Sequence, residues 1–314
     1  MVEVDPFKHQ LQLTKWEWFR TYFLVIFLVP IRIVLFLMIL MFTSVISKIA
    51  LFIHYQNNSI KEPFTSLWMK STQKLVQFLC VTALRICGLS VTYKGHMASV
   101  NEAPIVVTAP HSTFIDCNIL VLMENPSTFV LAEEFTHIPM LGSIVQLFQP
   151  IYVRRDDPHS RENVKKEVLS RTSSVNEGWS QVVFSPEGMC SNRKALLPYK
   201  LGAFYPGKPI QPIMARYPND IDTVTWTWDQ PHGAMSVFWL TLAQPFTKIE
   251  IEYLPVYHPS PQEKEDPKLY ASNMRKWMAA HYKIPTFDIT FEDLKKKYAK
   301  NNGKNIRRLS HKDE

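Results

Sequence analysis

Residues 104–116 read PIVVTAPHSTFID: a β-branched apolar run stops at a proline and gives way to a histidine, two hydroxyl residues and an aspartate. An apolar run bounded by turn residues is the pattern of a fully buried strand. The same arrangement recurs twice. IYVRR at 151–155 ends on two arginines, and QVVF at 181–184 leads into SPEGMCSNR at 185–193. Working outward, strands are expected at 104–109, 127–132, 149–153, 181–185, 210–215, 222–228 and 248–256. Helices are expected at 113–123, 140–147, 160–176, 267–281 and 290–300, the last opened by a capping box of Thr290 and Asp293. This alternation predicts an α/β fold with a mostly parallel central sheet flanked by helices. Ligands of such sheets bind beyond the carboxyl ends of the strands, so three polar clusters at three strand ends point to one shared site.

His111 and Asp116 stand five apart, about 140° around a regular helix, and cannot share one of its faces. They meet only if His111 lies in the loop before a helix and Asp116 in its first turns. Pro110 disfavours helix just upstream, and Ser112 or Thr113 can cap the helix after it. Asp116 would then accept from one ring nitrogen and leave the other to take a proton from a hydroxyl, without a side-chain nucleophile. The alternative is a polar pair at a helix start. Pro186, Glu187 and Gly188 form a turn signal. Glu187 there serves a substrate hydroxyl or headgroup amine, holds a neighbouring cation, or is simply an exposed turn carboxylate. Arg154 and Arg155 have the geometry to grip a phosphate, or else face solvent. Asn192, Arg193 and Lys200 extend the polar strip. Cys190 has no histidine or CxxC near it in sequence and reads as a buried thiol.

The chain has 314 residues, 46% hydrophobic and 20% charged, enough for a sizeable core. Its net charge of +7 suits a phosphorylated or anionic partner, but no basic nucleic-acid motif is present, which argues against nucleic acid. Four scattered cysteines argue against a disulfide scaffold, and none has zinc-ligand spacing, so no metal is expected. From 21 to 47 the chain is apolar apart from Arg32, long enough to enter a bilayer. Pro30 and Arg32 favour a bent or re-entrant helix over a straight span, with Trp16, Trp18 and Tyr22 as interfacial anchors. A second stretch, 74–93, is amphipathic, suited to a membrane surface or to a core helix. The expected organisation is a membrane anchor over 1–60, an α/β domain over 61–294 and a basic tail over 295–314.

HSTFID, YVRR, SPEG and Gln211-Pro212-Ile213, in that order between residues 111 and 213, resemble the four blocks of the glycerolipid acyltransferase family. EGMCSNR, YKLGAF, QPIMARYPN, TWTW and LPVYHPS look like its lysophosphatidylcholine acyltransferase branch, over roughly residues 90 to 294. The resemblance implies a membrane enzyme of the endoplasmic reticulum or lipid droplet. Acyl-CoA would be its co-substrate, with no bound cofactor, and a lysophospholipid its acceptor: lysophosphatidylcholine, or another lysolipid such as lysophosphatidic acid. It implies His111 as base, Asp116 as its partner and Arg155 on a phosphate. The family's FPEGT reads SPEGM here, so Ser185 and Met189 depart from the pattern. Larger members of the branch carry calcium-binding EF-hands. No such loop motif is present, so calcium regulation is not expected. A non-catalytic lipid-binding homologue and a thioesterase are the rival readings, and none of the motifs bears on oligomeric state.

Overall fold

A computed structural model describes residues 5–56, 59, 62–113, 116, 119–154, 156–227, 233–290, 293, 294 and 296. The apolar run of the opening motif becomes a strand whose Ile105, Val106 and Val107 are wholly buried. The sheet contains β1 (Leu89–Lys94), β2 (Ile105–Thr108), β3 (Thr128–Ala132), β4 (Ile151–Val153), β5 (Val182–Phe184), β6 (Ile210–Arg216) and β7 (Thr247–Tyr253). Their order across it is β1-β7-β6-β2-β5-β3-β4. Five neighbouring strands, β6 through β4, run parallel, while β7 pairs antiparallel with β6 and parallel with β1. The sheet is therefore mostly parallel, as expected.

Helices are α1 (Lys15–Tyr55), α2 (Leu67–Ile86), α3 (Ile119–Leu122), α4 (Leu141–Leu147), α5 (Ser160–Ser173), α6 (Ala234–Leu242), α7 (Pro261–Glu265) and α8 (Pro267–Tyr282). Successive residues of β2 serve opposite faces of the sheet. Val106 joins a cluster with Val29 of α1 and Leu84 of α2, whereas Ile105 and Val107 pack with Tyr270, Met274 and Met278 of α8. Helices on both sides explain why this strand reads as continuously apolar rather than alternating.

The apolar N-terminal stretch is one continuous helix, not a re-entrant pair. α1 runs for 41 residues through Pro30, opened by a capping box between Thr14 and Glu17. Pro30 removes one backbone donor, but the flanking turns still pair, and the helix face against the protein holds it. Arg32 is satisfied without any fold-back. Its guanidinium donates to the backbone oxygens of Leu242 and Gln244 at 2.5 and 2.6 Å and of Pro245 at 2.7 Å.

The 74–93 stretch divides at Gly88, whose φ of +92° suits glycine, into the end of α2 and the unexpected β1. α2 buries Met69, Val76 and Leu84 yet leaves Trp68, Leu75 and Phe78 outside. Residues 222–227 of the expected 222–228 strand form an irregular loop instead, and Trp228 lies outside the described residues. Asp222 captures the Thr225 hydroxyl at 2.6 Å and its N–H at 3.1 Å, and this local turn outcompetes the strand signal of alternating Thr and Trp. The expected 113–123 helix is described only from Ile119 to Leu122, with Asp116 in a short 3-10 turn. Thr290 and Asp293 exchange the expected capping bonds, and most of the 295–314 tail lies outside the described residues.

Candidate active site

Three adjacent strands of the parallel set end at one place. β2 delivers His111, β5 delivers Glu187 and β6 delivers Tyr217. His111 Nδ1 lies 2.9 Å from Asp116 Oδ2. The same oxygen accepts the backbone N–H of Ser112 at 2.6 Å and of Thr113 at 3.1 Å, and the Tyr217 hydroxyl donates to Oδ1. The Asp116 side chain is 3% exposed and that of His111 19%, so the carboxylate is sequestered while the ring retains an open side. With Nδ1 held by the carboxylate, Nε2 is the nitrogen free to receive a proton.

Electrostatics follow from this wiring. Burial works against an ionised Asp116, but the imidazole, the Tyr217 hydroxyl and the Ser112 N–H outweigh it and hold the carboxyl below its ordinary value. Burial likewise works against the imidazolium. The Cys190 sulfur and the Asp116 carboxylate beside the ring win, and the histidine is held well above its ordinary value.

Glu187 is 3% exposed, not the exposed turn carboxylate that its motif allowed. Its two oxygens accept the backbone N–H groups of His111 and Leu197, each at 2.7 Å. It thereby pins the histidine loop to the segment after β5, and burial pushes its pKa up to about 7. Pro186 accepts from the Lys200 N–H at 2.8 Å. Gly188 has a φ of +62°, and a Cβ there would fall 2.5 Å from Lys200 Nζ, so a side chain at 188 and the lysine compete for one space. Asn192 donates its amide to the carbonyls of Asp5 and Lys8 at 2.8 and 2.9 Å, tethering the N-terminal segment to the loop. Arg193 pairs with Asp222 at 2.7 Å and lies over the Tyr217 ring, 5.0 Å from its centroid. Arg155 lies outside the described residues, while Arg154 pairs with Glu133 at 2.8 Å. β4, which leads to both arginines, is the third strand from β2, about 14 Å away at the usual strand spacing.

Three contributors are not apparent from the motifs. Tyr217 follows β6 in ARYPN, and the strand-end rule that finds His111 also reaches it. Cys190 has no histidine near it in sequence, but folding brings it beside the His111 ring, while Ser191 N–H meets the His111 carbonyl at 2.7 Å. Met189, the departure from FPEGT, packs with Phe7, Leu197 and Leu294, so residues at the start of the expected anchor belong to the α/β domain. Among the described residues no cluster of side chains is arranged to hold a metal ion.

A model of the family described as Acyltransferase matches residues 90–216, which include β2, β5, β6 and the His111, Asp116 and Glu187 side chains of this network. The chain belongs to the acyltransferase family. It is 41% identical over 297 residues to the lysophosphatidylcholine acyltransferase of Drosophila melanogaster, covering 93% of this chain and 54% of that protein. It is 43% identical to lysophosphatidylcholine acyltransferase 2B of Rattus norvegicus and 40% identical to lysophosphatidylcholine acyltransferase 2 of Homo sapiens, again over 93% of its length. The chain spans about half the length of the curated relatives it matches. The crystal structure of the 1-acyl-sn-glycerophosphate acyltransferase PlsC from Thermotoga maritima shares its fold. It aligns with a TM-score of 0.53 at 15% identity over 85% of this chain and 98% of that one.

Proposed function

We propose that the chain transfers a fatty acyl group from acyl-CoA to the free hydroxyl of a lysophospholipid, with lysophosphatidylcholine as the preferred acceptor. The reading rests on one observation: a partly exposed imidazole held through Nδ1, at 2.9 Å, by a sequestered carboxylate. His111 Nε2 takes the proton of the glycerol hydroxyl as that oxygen attacks the thioester carbonyl. Asp116 fixes the tautomer and stabilises the imidazolium. The new ester C–O bond forms, the C–S bond breaks, and the imidazolium returns its proton to the departing CoA thiolate. Arg155 and Lys200 serve the phosphate of the acceptor or of CoA, and Pro186, Glu187 and Gly188 shape that wall of the site. Orienting two reactants in this way removes much of the entropic cost of their encounter.

α1 is long and apolar enough to cross a membrane. Its buried positions, Thr21, Val29, Arg32, Thr43, Ser44, Ser47, Ala50, Leu51 and His54, nevertheless spread over most of its length. The widest gap between them, Arg32 to Thr43, is about 16 Å of helix, short of the ~30 Å of a hydrocarbon core. A helix docked on a water-facing domain along that length fits one leaflet better than a crossing. Its outer face, from Trp16 to Ile53, then lies among acyl chains. Such an anchor suits the cytosolic leaflet of the endoplasmic reticulum and equally the monolayer of a lipid droplet.

The test is product analysis. The purified chain in phosphatidylcholine vesicles receives labelled acyl-CoA and a panel of lysolipid headgroups. Diacyl product, greatest with lysophosphatidylcholine, is expected. Free fatty acid regardless of acceptor would make it a thioesterase, and no turnover at all would make it a non-catalytic homologue.

A further inference from the structure

α6 is an uncharged helix, AMSVFWLTL, that buries Val237, Leu240 and Leu242 against the protein. On its outer side Met235 is 63%, Phe238 36% and Trp239 39% exposed, and Phe246 in the following turn is 74% exposed. Single exposed apolar residues are ordinary, but several on one helix and the turn that follows it mark an interaction surface.

Arg32 shows where this surface sits. The guanidinium bonds that replace re-entry join the middle of α1 to the carbonyls at the C-terminal end of α6, the end at which a cation is favoured. Arg20 adds a bond from its Nη2 to Gln244 Oε1 at 3.2 Å. The turn carrying Phe246 therefore lies alongside residues 20–32 of α1. On the outer face of that segment Phe23, Ile26, Phe27 and Ile31 are all more than half exposed. An arginine amid so much apolar surface is tolerable only with acceptors supplied, and α6 supplies them.

We propose that α6 and Phe246 form a second lipid-embedded element, seated in the acyl-chain layer of the same leaflet as α1. The proposal rests on the reading of α1 as lying within one leaflet, because the occupant is inferred from continuity with that helix. Its consequence reaches the site. Thr241 of α6 donates to the Thr223 carbonyl at 2.8 Å, within the loop whose Trp226 N–H holds the Ser112 carbonyl at 2.9 Å. One short loop thus ties a lipid-seated helix to the residues around the base, fixing the height of the imidazole above the leaflet that holds its substrate.

The experiment places a polarity-sensitive NBD label on the full chain through Met235→Cys, Phe246→Cys, Phe27→Cys or Lys166→Cys, with labelled wild type as the background. Each is bound to phosphatidylcholine vesicles with and without doxyl groups on the acyl chains. Lys166 is an exposed residue of α5, which packs on the edge strand β4, and serves as the aqueous reference. Labels at 235 and 246 are expected to be blue-shifted and quenched to within about twofold of the label at 27, and the label at 166 neither. Unquenched labels at 235 and 246 beside a quenched label at 27 would overturn the proposal while sparing the reading of α1. A blue shift without quenching, accompanied by energy transfer between labelled copies, would assign the face to a second copy of the chain and overturn it too. An unquenched label at 27 would overturn the reading of α1 itself, and the proposal with it.

Discussion

The loop after β2 and the helix before the α/β domain distribute polar and apolar atoms in opposite ways. In the loop, Asp116, and Glu187 reaching in from the segment after β5, are almost fully buried, and every carboxylate oxygen has a donor. In α1, large side chains such as Trp16, Phe27, Met38 and Phe52 face outward, while Thr43, Ser44, Ser47 and Arg32 turn inward. The first is a low-dielectric polar pocket, in which each bond is costly to lose. The second is an inverted surface whose many apolar contacts are individually dispensable. Reaction and attachment should therefore fail separately, and the size of each failure should follow the number of partners lost.

The largest effect is expected from Asp116→Asn. The amide misorients the ring and cannot balance the imidazolium, so transfer should fall by about 10²–10⁴-fold while vesicle flotation is unchanged. Loss of attachment in that variant would erase the separation of the two regions. Glu187→Gln should act on both turnover and folding. One end of the amide must face an N–H with another N–H, costing about 1–3 kcal/mol, read as a lower unfolding midpoint in detergent. The sign of the pH dependence is also fixed. A carboxyl raised to about 7 stabilises the fold below its unfolded value and loses that contribution as pH rises through 7. Wild type should thus lose stability from pH 5 to 8 more steeply than Glu187→Gln, as measured by denaturant unfolding at each pH.

Tyr217→Phe removes one bond to a charged group and leaves the pocket filled. A fall in kcat of about tenfold, with KM for both substrates little changed, is expected from that bond's typical worth. An equal rise in KM would instead give the hydroxyl a role in binding. The smallest effect should come from Phe27→Ser. One phenyl is worth about 1.5–3 kcal/mol, a minor share of the apolar face, so flotation should remain nearly complete.

Sequence and structure agree where the physics is local and part where packing decides. The buried strands are legible because both faces of β2 are covered, and the His111–Asp116 contact because at that spacing the two can meet only from a loop and the turn after it. The turn at Asp222 is not, since TVTWTW alternates as a strand does and only the capture of Thr225 by Asp222 reveals a loop. Pro30 and Arg32 suggest re-entry because they look disruptive in isolation, and the carbonyls that satisfy Arg32 lie about two hundred residues away. Glu187 resembles a surface carboxylate for the same reason: its donors, His111 and Leu197, come from other segments.

The most direct test replaces His111 with alanine in the full chain and measures acyl transfer and vesicle flotation on one sample. Complete flotation with diacyl product reduced to background is expected. Transfer at the wild-type rate from the floated His111→Ala protein would contradict it.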